Sequence, residues 1–403
     1  MTMLDRDAAA TSRTLRTQED VEERIRAICF KTGPPGKVGA ELEWTVHHTA
    51  APAEPLRLSS LRQALGPHAP HTLFANSPEL PLPADGLVTC EPGGQVELSS
   101  APAPSLTALH EAVSSDHAHL VRLLDAAGLS LGEHGIDPHR TPRRLLRTPR
   151  YDAMEHAFDG RGPHGRIMMC STAGLQACLD AGPPGQVSTR WAAANAVGPA
   201  LLAAFATADR HAGRDTGWAS ARMGAWLGMD PRLTGPVTGP ADDPAEGWVR
   251  YALAAPVVCV RGDDTWIAPA GLTLTGWLDG AVGRPLTEAD LDYHLSTLFP
   301  PVRPRGYLEI RYLDAQPGDG WFAPVAVLAT LLGRPEVTDR ALDLAAATAD
   351  RWHDASRLGL ADRELRRTAA ALLDLACRNL ELPAPLGASL LDGVRERLHA
   401  KEL

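Results

Sequence analysis

Residues Val38 to His47 read VGAELEWTVH. Val38, Ala40, Leu42, Trp44 and Val46 occupy one side of a two-residue repeat; Gly39, Glu41, Glu43, Thr45 and His47 occupy the other. The alternation predicts a half-buried β-strand, with the carboxylates of Glu41 and Glu43 on one face of a sheet. Like charges that close are unfavourable unless something positive sits over them. A solvated strand face explains one such strand equally well. The pattern gains weight because it recurs.

Residues 86–101, GLVTCEPGGQVELSSA, place Gln95, Glu97 and Ser99 in alternation with Val96 and Leu98. Glu91 precedes Pro92-Gly93-Gly94, which breaks the strand as a tight turn or bulge and lets backbone approach a neighbour closely. Residues 166–180, RIMMCSTAGLQACLD, are expected to form a strand with Met168, Cys170, Thr172, Gly174 and Gln176 on one face. Gly174 suits close approach of a ligand. Residues 307–314, YLEIRYLD, put Leu308, Ile310 and Tyr312 on one side and Tyr307, Glu309, Arg311 and Leu313 on the other. A simple cross-strand ion pair accounts for that acid and guanidinium taken alone.

The remaining chain supplies helices and connections. Residues 1–16 form a polar, disordered lead-in. Thr17 caps a helix striped by Val21, Ile25 and Ile28 that ends before Gly33-Pro34-Pro35-Gly36. GPPGKVG lacks the G-x-x-x-x-G-K spacing of a phosphate loop and leads into a strand. Residues 48–85 form a long connection with one short helix over Leu58–Leu65, and of His47, His48, His68 and His71, which match no metal spacing, most read as surface loop histidines. A long helix runs from Ser105 to a stop at Gly128. Six arginines between 140 and 161 suit a cap over anionic groups such as phosphates, and solvated loop charge explains any one of them as well. Further helices are expected over Ser188–His211, with a kink at Pro199, and over Asp290–Leu298; a buried strand is expected over Tyr251–Val260. Residues 324–403 read as helical. The reading is one catalytic domain over 17–403, with its sheet core in about 35–320.

The chain has 403 residues, 44% hydrophobic and 22% charged, with a net charge of −10. It is long enough for a large core. Its charge gives no sign of nucleic-acid or anionic-membrane binding. Six scattered cysteines form no C-x-x-C pair and read as free thiols of a reducing cytoplasm. The N-terminus has no apolar signal region, and no run is long enough to cross a bilayer. The oligomeric state is open, with a monomer favoured.

Several carboxylates on one sheet suit divalent-metal binding of a nucleotide. Mg²⁺ prefers oxygen ligands and retains phosphate oxygens in its shell, and arginines neutralise a transferred phosphoryl group. GAELEW, EPGGQVELS, RYDAMEHAF followed by MMCSTAGLQACLD, SARMGAW and YLEIRYLDAQP resemble, in this order, motifs of the plant-type glutamate–cysteine ligases and related carboxylate–amine ligases. The likeness covers roughly residues 35–320 and is strongest to the actinobacterial branch of ergothioneine biosynthesis. It implies an α+β fold with a glutamine-synthetase-like core: a curved, mostly antiparallel sheet forming a funnel backed by helices. It implies ATP as co-substrate, Mg²⁺, and glutamate and cysteine as substrates joined through a γ-glutamyl phosphate. It matches Glu41, Glu43, Glu91, Glu97, Gln176 and Glu309 to metal positions. Arg222 and Arg311 match positions holding phosphate or substrate carboxylate, and Arg150 and Tyr151 a substrate element; Gln95 and Thr172 join them as substrate-binding candidates. Some distant ligases carry His where Gln176 stands. A ligase using another amine, or an inactive nucleotide-binding relative, shares these acid-activation motifs.

Overall fold

The computed structural model describes residues 12–33, 36–160, 162–240, 242–263 and 265–387. Six strands form its main sheet: β1 (Val38–Trp44), β2 (Leu87–Cys90), β3 (Val96–Ser99), β4 (Gly174–Asp180), β5 (Val302–Pro304) and β6 (Tyr307–Asp314). Their order is β5-β6-β4-β1-β3-β2, and every pairing is antiparallel. With helices on either side, the architecture is α+β.

The two-residue repeat fixes which side of the sheet is apolar. Ala40, Leu42 and Trp44 of β1 share a face with Val96 and Leu98 of β3, Leu175 and Ala177 of β4, and Leu308 and Ile310 of β6, and all are buried. Helices Leu106–Asp125, Gly198–Ala204 and Phe322–Leu331 pack on the sheet. In Leu106–Asp125 the buried Leu109, Val113, Leu120 and Leu124 follow helical spacing, and Ser105 caps the first turn through Ala108 N at 3.1 Å. The buried Asp116 of that helix accepts from Ala84 N at 2.7 Å and Gly86 N at 2.9 Å, which anchors the start of β2.

The Thr17 cap is a full capping box with Asp20, on helix Gln18–Cys29. Within the expected lead-in, Thr14–Leu15 pairs with Leu286–Thr287, and Leu15 is buried; residues 1–11 lie outside the described residues, as do Pro34 and Pro35 of the phosphate-loop-like turn. The VGAELEWTVH strand divides at Thr45: Val46–His48 leaves the main sheet and pairs with Leu129–Leu131.

Three expectations are corrected. Residues 166–180 are not one strand: His164–Ser171 is a helix, and β4 starts at Gly174. Met168, Met169 and Cys170 are buried in succession, which a helix packed between Pro149–Asp159 and Ala221–Leu227 allows and a one-sided strand does not. Tyr251–Val260 begins in the helix Pro244–Ala254 capped by Asp243, because a short apolar run fits either element. Ser188–His211 is two helices, Val187–Ala196 and Gly198–Ala204, with Pro199 in the first turn of the second, followed by a small Arg210–His211/Arg214–Asp215 hairpin. Of the four histidines, His48, His68 and His71 are partly exposed, whereas His47 is buried beside Thr45 Oγ1 at 2.8 Å.

Burial holds the imidazoles of His47 and of His294, which meets Ala252 O at 3.0 Å, down to about 4. Their folded values lie below the unfolded value of 6.5, so the stability gained by keeping them neutral is complete above pH 6.5 and is lost as pH falls toward 4. Denaturant unfolding at pH 5 is expected to show about 2 kcal/mol less stability per histidine than at pH 7. Unchanged stability between those pH values contradicts it.

Candidate active site

The polar face of the sheet forms the floor of a cleft of about 330 Å³. Register explains its composition. Glu43 of β1 pairs directly with Glu97 of β3, and Glu41 faces Ser99 on one side and Gln176 of β4 on the other. Like charges placed directly opposite on neighbouring strands oppose folding, so this arrangement has a purpose other than stability. Thr89 Oγ1 and Ser99 Oγ donate to Glu97 Oε1 at 2.9 and 3.2 Å. Gly174 N donates to Glu43 Oε2 at 2.7 Å.

A bulge in β6 delivers the arginine. Ile310 pairs with Ala177 and Leu313 with Leu175, so Arg311 and Tyr312 together oppose Gln176. Bulges re-aim side chains, and here Arg311 Nη1 donates to Gln176 Oε1 at 2.5 Å. The same phase change puts Leu313 on the apolar side with Leu175, not beside Arg311 as strict alternation implied. Gln176 Nε2 lies 3.5 Å from Glu43 Oε1 and from Glu97 Oε2. Its amide therefore joins Arg311, a donor only, to two carboxylates, acceptors only.

Glu309 lies behind the cleft lining, fully buried. Arg303 grips it with Nε and with Nη2 at 3.0 Å; Arg305 Nη1 and Arg311 Nη1 each lie at 3.1 Å. Burial alone would raise the Glu309 carboxyl, but Arg303 and Arg311 outweigh it and hold it well below the usual range. The cleft acids shift the other way. Burial, then the charges of Glu41, Glu43 and Glu91, push Glu97 well above its ordinary value. Burial and Glu43 push Glu91 up to about 7, and burial and Glu309 raise Glu41.

Glu41, Glu43, Glu91, Gln95, Glu97, Arg150, Tyr151, Thr172, Gln176 and Arg311 all line this cleft. Several are committed to the protein. Gln95 Nε2 donates to Thr172 O at 2.9 Å, Tyr151 OH to Cys90 O at 3.2 Å, and Thr172 Oγ1 to Met168 O at 2.6 Å. Arg150 is braced by Ser296 Oγ and O, both at 3.0 Å, and sits over the Tyr293 ring. Arg222 is buried below the lining, where Nη2 donates to Arg311 O at 2.9 Å. A Cβ on Gly174 would meet Arg222 Nη2 at 2.3 Å, so that glycine makes room for the arginine and not for a ligand. Gly93 does mark a close backbone approach: a Cβ there would meet Cys170 O at 2.2 Å.

Of the arginine run, Arg150 alone among the described residues lines the cleft; Arg140 pairs with Asp137, and Arg144 with Asp152 and Glu155. Arg161 is outside the described residues. Sequence reading missed Arg303, Arg305, Trp226, Ser296 and Phe299, which also line the cleft. Arg303 sits on β5, an edge strand concealed by Pro304 within it and Pro300 and Pro301 before it; the Arg305-Gly306 turn before Tyr307 was the available signal.

The profile of glutamate–cysteine ligase family 2 matches residues 37–388. The chain belongs to this family. It is 41% identical over 397 residues to glutamate–cysteine ligase EgtA of Mycobacterium tuberculosis (strain H37Rv), covering 94% of this chain and 89% of the relative. Identity to the Mycolicibacterium smegmatis protein of the same name is 39%, with 92% and 86% covered. The chloroplastic glutamate–cysteine ligase of Arabidopsis thaliana is 31% identical over 281 residues, 67% of this chain and 52% of that protein. The family match thus spans the sheet and most of the helices behind it.

Among the described residues, no group of three or more His, Cys, Asp or Glu side chains stands where it could hold a metal ion. The donor chemistry nevertheless fits Mg²⁺: the cleft acids are hard oxygen donors, and their mutual repulsion is what a bound divalent cation relieves. No helix of the described residues is long and apolar enough to cross a membrane.

Proposed function

We propose that this protein is an ATP-dependent ligase that joins the γ-carboxylate of glutamate to the amine of cysteine, in ergothioneine biosynthesis in the cytoplasm. The observation that carries it is the convergence of four glutamates with Arg150 and Arg311 on one cleft, in a chain of this family. Glu41, Glu43, Glu91 and Glu97 would hold a divalent cation through their carboxylate oxygens. Mg²⁺ held there would supply neutralisation of phosphate charge and activation of the terminal phosphorus. Gln176 and Glu309, which the family resemblance also matches to metal positions, hold Arg311 in the geometry described above.

Arg311 presents its guanidinium to the phosphoryl group as that group passes from ATP to the glutamate γ-carboxylate. Arg150, braced by Ser296 and Tyr293, orients a substrate carboxylate. The cysteine amine then attacks the γ-glutamyl phosphate, and phosphate leaves. Arg222 supports the backbone carrying Arg311. The sheet is the floor of a glutamine-synthetase-like funnel, with residues 17–403 as one catalytic domain.

The test is product analysis. Glutamate, cysteine and Mg-ATP are expected to yield ADP, phosphate and γ-glutamylcysteine in equal amounts. No ADP release with this set contradicts the reading; release with a different amine from a panel replaces cysteine by that amine. Mg-ADP at about 100 times its Kd is expected to stabilise the fold by about 2.7 kcal/mol, an effect removed by a chelator. A melting curve that ignores both Mg-ADP and chelator counts against a metal–nucleotide site.

A further inference from the structure

Arg305 differs from the other guanidinium groups of the cleft. It begins the Arg305-Gly306 turn between β5 and β6, where Arg305 N donates to Tyr307 O at 2.8 Å and Gly306 N to Cys29 O at 2.7 Å. Gly306 has φ +79°, a left-handed angle that suits glycine. The root of the side chain is therefore fixed, while its side chain is 48% exposed, against 8% for Arg303 and 10% for Arg311.

Its contact with Glu309 is surplus. Arg303 and Arg311 already bring two positive charges to that single carboxylate. Glu309, and more weakly Glu41, favour the charge on Arg305, so three guanidinium groups, Arg303, Arg305 and Arg311, gather on one carboxylate at the edge of the cleft. Arg305 has the least desolvation to lose by moving and the most to gain from an incoming anion.

We infer that Arg305 is a nucleotide-contacting residue: it leaves Glu309 and pairs with the polyphosphate of ATP at the mouth of the cleft. This rests on the ligase reading above. A polyphosphate carries several negative charges and matches an edge on which three guanidinium groups stand together. A substrate carboxylate carries one, and Arg150 already offers a braced fork for it. Glu309 is then the resting partner of Arg305 and the permanent partner of Arg303.

The variants Arg305→Ala and Arg305→Lys test this by steady-state kinetics in ATP and in glutamate, calorimetric titration with Mg-ADP, and thermal melts. For Arg305→Ala, KM for ATP and Kd for Mg-ADP are expected to rise about tenfold. KM for glutamate stays within about twofold, and the melting temperature within about 2 °C, because the side chain is half exposed. Arg305→Lys recovers part of the nucleotide affinity through its charge. A raised KM for glutamate with unchanged nucleotide binding overturns the inference. So does unchanged nucleotide affinity, with or without a fall in melting temperature. Failure of the ligase reading shows separately, as wild-type protein that releases no ADP with glutamate and cysteine; the Mg-ADP titration still reports on Arg305.

Discussion

Arg311→Lys is expected to lower kcat by about 100- to 1,000-fold while the protein stays folded. The reason is geometric. Arg311 sits in the β6 bulge, with Nη1 at 2.5 Å from Gln176 Oε1 and 3.1 Å from Glu309 Oε2. One planar group thereby reaches an amide, a buried carboxylate and the cleft at once. An ammonium preserves the charge next to Glu309 but has neither the plane nor the spread of donors. It can satisfy Glu309 or reach a phosphoryl oxygen, not both. The measurement is kcat under saturating ATP, glutamate and cysteine, with a melt of the same sample. Activity within about threefold of wild type would remove Arg311 from the phosphoryl-transfer step.

Glu309→Gln is expected to have the largest effect on stability, about 3–5 kcal/mol lost. Arg303 and Arg311 are both nearly buried, and Glu309 is the carboxylate that joins them. An amide keeps the shape and removes the charge, so two interior guanidinium groups lose the partner that offsets their desolvation. Urea unfolding of metal-free protein decides this. A variant with wild-type stability but no magnesium response would instead make Glu309 a metal ligand first and an arginine partner second.

These two residues also show what was legible in the sequence. YLEIRYLD announces a strand, and β6 occupies those residues, but the bulge at Arg311 does not show in an alternating pattern. VGAELEWTVH and QVELS place Glu41, Glu43 and Glu97 on a polar sheet face because a repeat of two has only two sides. What pairs with what is a long-range choice, so the direct opposition of Glu43 and Glu97 emerges only with the register. Arg303 was hidden because VRP contains a proline and reads as loop, although an edge strand tolerates it. RIMMCS alternated well enough to pass for a strand, yet tertiary packing on two helices made it a helix. Gln95 and Tyr151 line the cleft, and their polar atoms are directed to backbone carbonyls that no local pattern discloses.

In the proposed ligase, strands far apart in sequence assemble a magnesium–nucleotide site from their carboxylates. Manganese diffraction tests it most directly, with Mn²⁺ in place of Mg²⁺ in crystals containing ADP and glutamate. Anomalous peaks are predicted among Glu41, Glu43, Glu91 and Glu97, within coordination distance of their oxygens and of the nucleotide phosphates. Peaks confined to other surfaces, in protein that turns over with Mn²⁺, would contradict it.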